Sequence, residues 1–219
     1  MRRSSLSLSA LTAAALLVPA APAVAGPPLI CHPFQTGGTP SLPWGTGPGW
    51  NTPDANYDVR RLPADVSRLL AEQTGVFPRM ETLRRATIYA ARDPRVAYEL
   101  LAHVLGRALG AAGVGRPDDL AWFDAGYLVE SYKQATHIYR WDMLEPGARA
   151  GWTLRDQLQG FDGYAWVRRA LELSNGNPDM EFAASLMKTG ALSDQHRRNA
   201  AARARPGSLL ARALNSIGD

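Results

Sequence analysis

The sequence predicts an all-α protein of antiparallel helix hairpins, arranged as a bundle or as a short helical-repeat array. Three observations support this fold class. Apolar residues recur at helical spacing after about residue 63, Asp, Asn or Pro precedes several of these segments, and one helix-break-helix pattern occurs twice, at 80–105 and 164–189. Each hairpin has an apolar face to bury, so the two are expected to stack and share a core.

The repeated pattern specifies where each hairpin bends. Arg84-Arg85-Ala86 in the first copy corresponds to Arg168-Arg169-Ala170 in the second, and Asp93-Pro94 corresponds to Asn177-Pro178 at the same distance downstream. The Asp or Asn oxygen can accept from the free N–H groups of the next helix, and proline fits the first helical position, where no N–H is needed. Each copy is therefore predicted to break at this dipeptide.

The first 25 residues predict a secretory signal peptide. Arg2-Arg3 forms a basic start, Leu6 to Val18 is an apolar stretch too short to span a bilayer, and Ala23-Val24-Ala25 is a small-residue cleavage site. We expect cleavage after Ala25 and a periplasmic or secreted mature protein, with no transmembrane span. The general secretory route is the default interpretation, and the paired arginines keep the twin-arginine route as an alternative.

The mature chain is expected to be nearly neutral. The full sequence contains 24 Lys and Arg against 20 Asp and Glu, and the signal peptide holds two arginines and no acid, which leaves 22 basic residues against 20 acidic ones. So small a net charge argues against a dedicated nucleic-acid-binding protein. About 190 residues remain, enough for one domain with a sizeable core.

Residues 26–62 predict an irregular arm that wraps over a helical domain of residues 63–219. The segment is rich in Gly and Pro and shows neither a helical nor an alternating period. It is also too apolar for a purely solvated linker. Its Trp44 and Trp50 are candidate residues of a partner-binding surface.

Cys31 is the only cysteine and is followed by His32. One thiol cannot form an internal disulfide, and the simplest interpretation is a partly buried thiol in the arm. Cys-His also ends the c-type haem attachment motif, but Pro28 occupies the position of its first cysteine. We therefore expect no cofactor. A haem or metal site at Cys31 and His32 is the alternative, and it requires further ligands from elsewhere in the fold.

A helix over 117–139 is predicted to be the central one, because apolar residues lie on two of its sides. Asp124 lies on one of these sides, where an unpaired carboxylate is costly. The simpler interpretation pairs it with an arginine of Arg84-Arg85 or Arg168-Arg169. The alternative makes Asp124 and Glu130 the acid and base of an exported enzyme acting on a glycan-type polymer.

The residue pattern near the end of the sequence predicts an arginine-rich helix that begins at Ser193-Asp194 and a last helix over 208–217. An arginine-rich terminal helix is usually a solvated face, and the functional interpretation is contact with anionic lipid or polymer of the cell envelope. The candidate residues for this partner surface are Arg197, Arg198, Arg203 and Arg205.

Catalytic motifs of the common hydrolases, nucleotide-binding proteins and zinc enzymes do not occur in the sequence. The four histidines, at 32, 103, 137 and 196, are widely scattered. We therefore expect an exported helical scaffold or binding protein of the bacterial envelope rather than an enzyme. Its partner is expected to be a protein or another envelope component.

Five short segments of the mature chain form one combination of motifs. They are Leu29-Ile30-Cys31-His32-Pro33, Ser41-Leu42-Pro43-Trp44, Met80-Glu81-Thr82-Leu83-Arg84-Arg85-Ala86, Trp122-Phe123-Asp124-Ala125-Gly126-Tyr127 and Met180-Glu181-Phe182-Ala183-Ala184. Together they resemble a group of uncharacterised exported bacterial α-helical proteins. The group has no assigned activity, so the resemblance implies no catalytic residue. Ala170-Leu171-Glu172-Leu173 ahead of Pro178 also resembles the second helix of a tetratricopeptide repeat, as an analogy for packing.

Overall fold

The computed structural model describes residues 28–72, 75–138 and 158–216. Within these ranges the regular secondary structure is entirely helical, which confirms the predicted fold class. The helices are α1 (Pro28–Cys31), α2 (Leu62–Glu72), α3 (Val76–Ala90), α4 (Pro94–Gly113), α5 (Asp119–Ile138), α6 (Gly163–Leu173), α7 (Pro178–Ser185), α8 (Gly190–Ala201) and α9 (Leu209–Ser216). A short 3-10 helix, Val59–Arg61, leads into α2.

Both hairpin breaks lie at the predicted dipeptides. Asp93 accepts a hydrogen bond from the N–H of Arg95 at 2.9 Å, and Asn177 accepts one from the N–H of Asp179 at 2.9 Å. The proline that follows each cap takes the first helical position. The breaks and caps are thus confirmed, while a repeat relationship between the two hairpins and their tetratricopeptide likeness remain predictions.

The start predicted for the arginine-rich helix was wrong. The helix begins at Gly190, and the hydroxyl of Ser193 donates to the carbonyl of Ser185 at 2.7 Å instead of capping its own helix. The last helix does begin beside a serine, since Ser208 Oγ accepts from the N–H of Ala211 at 3.1 Å.

Helix α5 is the central helix, as predicted. Seven consecutive residues, 123–129, are buried, which covers every side of the helix, and it packs against α1, α3, α4 and α6. Its approach to α6 is close because both helices carry glycine at the crossing. A Cβ atom on Gly163 would lie only 2.6 Å from the carbonyl oxygen of Gly126.

Helix α3 is buried even more completely than α5, which the sequence pattern did not predict. Every residue of α3 except Arg85 is buried, including Glu81 and Arg84. Its outer side is covered by the irregular segment between α1 and α2, whose carbonyl groups accept hydrogen bonds from α3 side chains: Tyr89 donates to Pro43 O at 2.7 Å. The arm therefore completes the core.

None of the helices in the described ranges is long and apolar enough to cross a membrane. The predicted signal peptide, residues 1–25, lies outside the described residues.

Candidate functional site

A buried cluster of charges on α3 holds the arm in place. Arg84 forms a two-point ion pair with Glu81, with N···O distances of 2.8 and 2.9 Å, and Arg85 Nε donates to the same carboxylate at 2.6 Å. Glu81 and Arg84 are 1% and 0% exposed. A buried ion pair of this kind is tolerated only when its remaining donors and acceptors are satisfied.

The arm supplies those remaining partners. Phe34 N donates to Glu81 Oε2 at 2.9 Å, and Arg84 Nη1 donates to the carbonyls of Ile30 at 3.1 Å and Trp50 at 3.0 Å. The charge cluster thereby ties positions 30, 34 and 50 of the chain to one helix. The Arg84-Arg85 motif of the repeated pattern therefore anchors the arm.

A cavity of about 200 Å³ lies between the anchored arm and α9. Its floor is aromatic: the rings of Phe34 and Phe77 are 6.4 Å apart between centroids, and the ring of Phe182 lies 5.5 Å from that of Phe77, tilted by 33°. Polar groups border this aromatic surface. Among them, Arg212 Nε donates a hydrogen bond to Gln35 Oε1 at 2.8 Å. The lining residues are His32, Pro33, Phe34, Gln35, Phe77, Leu209, Arg212, Ala213 and Ser216.

Cys31 and His32 lie in different surroundings, one in the interior and one at the cavity. Cys31 is only 3% exposed, and burial raises the pKa of its thiol against the opposing charge of Arg84. A protonated thiol is a poor metal ligand. His32 reaches the cavity, and burial lowers its pKa. Within the described residues no three or more His, Cys, Asp or Glu side chains form a cluster that could hold a metal ion.

Asp124 forms a buried ion pair, but the predicted partners were wrong. Its carboxylate contacts Arg79 of α3, and Arg107 Nη1 of α4 lies 3.6 Å away. Arg79 and Arg84 are five residues apart and thus about 140° apart around the helix. Arg79 consequently faces α5 while Arg84 faces the arm. Burial raises the pKa of Asp124 to about 6, and the two arginines oppose that rise.

Glu130 is not brought to Asp124. Its carboxylate accepts from Lys133 Nζ at 2.9 Å and lies beside Gly163 of α6, whereas Asp124 faces α3 and α4. Six residues of helix place the two side chains about 120° apart around α5. Asp124 has no exposed surface, so the pair does not form the two sides of an accessible cleft.

Trp44 and Trp50 are both half-buried and pack against the core. The guanidinium groups of Arg84 and Arg85 lie 5.1 and 5.3 Å from the Trp44 ring centroid, and the Trp44 ring meets Tyr89 edge-on at 5.7 Å. These contacts hold the Trp44 ring in one orientation with part of it still exposed.

The four arginines predicted to form a partner surface near the end of the chain differ in their exposure and contacts. Arg197 is half-buried, and the other three are exposed. Arg203 Nη1 donates to the carbonyls of Asn175 and Gly176, the turn after α6. Arg198 donates to Gln195 Oε1 at 2.9 Å on its own helix. Arg203 therefore stabilises a turn, and Arg198 lies on a solvated face.

One polar network was missed by sequence reasoning. His196 Nε2 lies 2.8 Å from the hydroxyl of Tyr164, and its Nδ1 contacts the carboxylate of Glu181, which also accepts from Asn199 Nδ2 at 3.1 Å. Tyr164 and His196 are each 8% exposed, so the network joins α6, α7 and α8 in the interior. Its members are 15 and 32 residues apart along the chain, and no local pattern connects them.

No family model matches this chain, and no curated protein or solved structure shows significant similarity to it. The anchored arm and the cavity beside it could receive a ligand or partner.

Proposed function

We propose that this protein is an exported helical binding protein of the bacterial cell envelope, which holds a protein or other envelope component against its anchored arm. The observation that supports the proposal is the buried cluster of Glu81, Arg84 and Arg85. It holds an irregular, partly exposed segment in one arrangement. A binding surface ordered in advance loses less entropy when a partner binds.

The geometry does not favour the polymer-hydrolysing alternative. The two carboxyl groups of a glycosidase usually lie about 5–9.5 Å apart on opposite sides of an open cleft. Asp124 instead lies fully buried between Arg79 and Arg107, and Glu130 pairs with Lys133. A structural role accounts for all of these contacts.

Export is tested by the mass of the protein recovered from a bacterial host. The expected mature chain begins at Gly26 and is found in the periplasmic fraction or the medium. Replacing Arg2 and Arg3 by lysine together distinguishes the two routes, because the twin-arginine pathway reads that pair and the general route tolerates lysine. A cytoplasmic protein that still begins at Met1 would contradict the proposal.

Partner binding is tested with a photo-crosslinking residue at Gln35, an exposed position beside the cavity. The matched control carries the same residue at Gln195, which is exposed on α8. We expect a discrete crosslinked species in intact cells from position 35 and none from position 195. Equal labelling from both positions, or none from position 35 in correctly exported protein, would overturn the assignment of the binding surface to the arm.

A further inference from the structure

Among the described residues that line the cavity between residues 32–35 and α9, Arg212 is a cation and none is acidic. Arg212 makes two hydrogen bonds within the described residues, both to neutral oxygens: Gln35 Oε1 and the carbonyl of Gly207. A guanidinium group has five N–H donors in a planar fork that matches a carboxylate. Donors therefore remain for an anion.

His32 adds a second polar group to the same cavity. It is half-buried, and burial lowers its pKa, so the imidazole is neutral near pH 7. A neutral imidazole has one nitrogen that donates and one that accepts. It can donate a hydrogen bond to an anion held by Arg212 without adding a second charge.

The floor of the cavity suits an apolar body. Phe34 and Phe77 are 7% and 2% exposed, and Leu209 and Ala213 of α9 face them across the cavity. Covering such a surface with a hydrocarbon group is favourable. The volume, about 200 Å³, is below the roughly 300–1,000 Å³ typical of pockets for drug-sized ligands.

Two hydrogen bonds hold the walls of the cavity in place. The Phe34 N–H is bonded to buried Glu81, which fixes the arm wall to α3. The Arg212 to Gln35 hydrogen bond joins α9 to the arm across 177 residues of sequence. A ligand thus meets a site that is already formed, which lowers the entropy lost on binding.

We infer that this cavity binds a small organic carboxylate of about six or seven carbon atoms in all, its carboxylate on Arg212 and its apolar body against Phe34 and Phe77. This site goes beyond the partner-binding function proposed above. Either function can hold without the other.

The test is calorimetric titration of the mature chain with benzoate and hexanoate, each compared with its uncharged amide. We expect saturable binding of the acids, at least about tenfold tighter than that of the amides, because charge-assisted hydrogen bonds are lost with the charge. No saturable binding of either acid up to about 10 mM, a concentration that detects millimolar affinity, would overturn the inference. Equal binding of acid and amide would also overturn it.

Two matched variants locate the binding. Arg212→Gln is expected to weaken acid binding at least about tenfold, whereas Arg198→Gln, at an exposed arginine of α8, is expected to leave it unchanged. Arg212 is itself exposed, so both variants should retain the unfolding temperature of the wild type. Unchanged acid binding by Arg212→Gln would place the ligand elsewhere and refute the site.

A chain ending at Ser216 provides a further control. Residues 217–219 follow directly on this lining residue and include Asp219. Equal acid binding by the full and shortened chains is expected. If only the shortened chain bound the acids, residues 217–219 would be the group that occupies the cavity in the full chain. That result would overturn the inference.

Discussion

The two helix hairpins start from the same residue pattern and differ in what surrounds it. Arg84 of the first hairpin is fully buried, whereas Arg168 at the equivalent position of the second is exposed. The arm lies over the first hairpin, and its carbonyls of Ile30 and Trp50 accept hydrogen bonds from Arg84. A local pattern thus specifies a helix break without specifying whether its arginines are buried.

The hairpins are also held to the rest of the molecule in different ways. The first is joined to α5 through the ion pairs of Arg79 and Arg107 with Asp124. The second reaches α5 by close backbone approach, where Gly163 meets Gly126. One interface depends on charge and the other on the absence of a side chain, so different substitutions should disrupt them.

The largest expected effect comes from replacing equivalent arginines. Arg84→Met is expected to lower the free energy of unfolding by about 4 kcal/mol, because it leaves Glu81 buried beside Arg85 alone and removes two hydrogen bonds to the arm. Arg168→Met should change it by less than about 0.5 kcal/mol, since its side chain is exposed. Urea unfolding followed by circular dichroism measures both. Similar losses in the two variants would mean that burial by the arm does not distinguish the hairpins.

Gly126→Ala is expected to destabilise the interface of the second hairpin by about 3 kcal/mol. Its new Cβ would lie 2.7 Å from Val167 Cγ2 and 2.9 Å from Val167 N, so the helices would have to separate. Gly110→Ala on α4 is the control, because a Cβ there meets nothing within 4 Å. Gly110→Ala should raise the helix propensity of α4 and stabilise the folded protein by up to about 1 kcal/mol. A neutral Gly126→Ala would show that α5 and α6 need not approach so closely.

The charge-based interface should respond to pH. Burial raises the pKa of Asp124 from 3.8 to about 6, so the folded protein binds this proton more tightly than the unfolded chain. The stabilising contribution of the carboxyl is therefore full below about pH 4 and is lost as the pH rises through about 6. We expect the free energy of unfolding, relative to Asp124→Asn, to fall by about 2 kcal/mol between about pH 4 and pH 7. A relative stability that rises over this range would show that the attraction of Arg79 outweighs burial.

The smallest effect should be equal in the two hairpins. Asp93→Ala and Asn177→Ala each remove a capping acceptor and are expected to cost about 1 kcal/mol. Asp93→Ser and Asn177→Ser, which keep an acceptor, should retain most of that stability. Thermal unfolding resolves these differences. A much larger loss at one cap would indicate that the two breaks differ in more than their surroundings.

Local features of the molecule were predictable from the sequence. The helical class, the breaks at Asp93 and Asn177 and the central position of α5 all depend on residues within a few helical turns. The spacing of apolar residues and the capping oxygens act over that distance, so a short stretch of sequence is enough to predict these features. The need of Asp124 for an arginine partner was predictable for the same reason, because it follows from the apolar side of its own helix.

The tertiary structure alone decided which groups meet. Arg79, not Arg84, reaches Asp124 because helix rotation and the arm divide the arginines of α3 between two sides. The cavity needs Gln35 and Arg212, which are 177 residues apart, to lie within hydrogen-bonding distance. The site proposed here depends on such distant pairs. Their contacts are set by packing between helices and arm, which no spacing along the chain encodes.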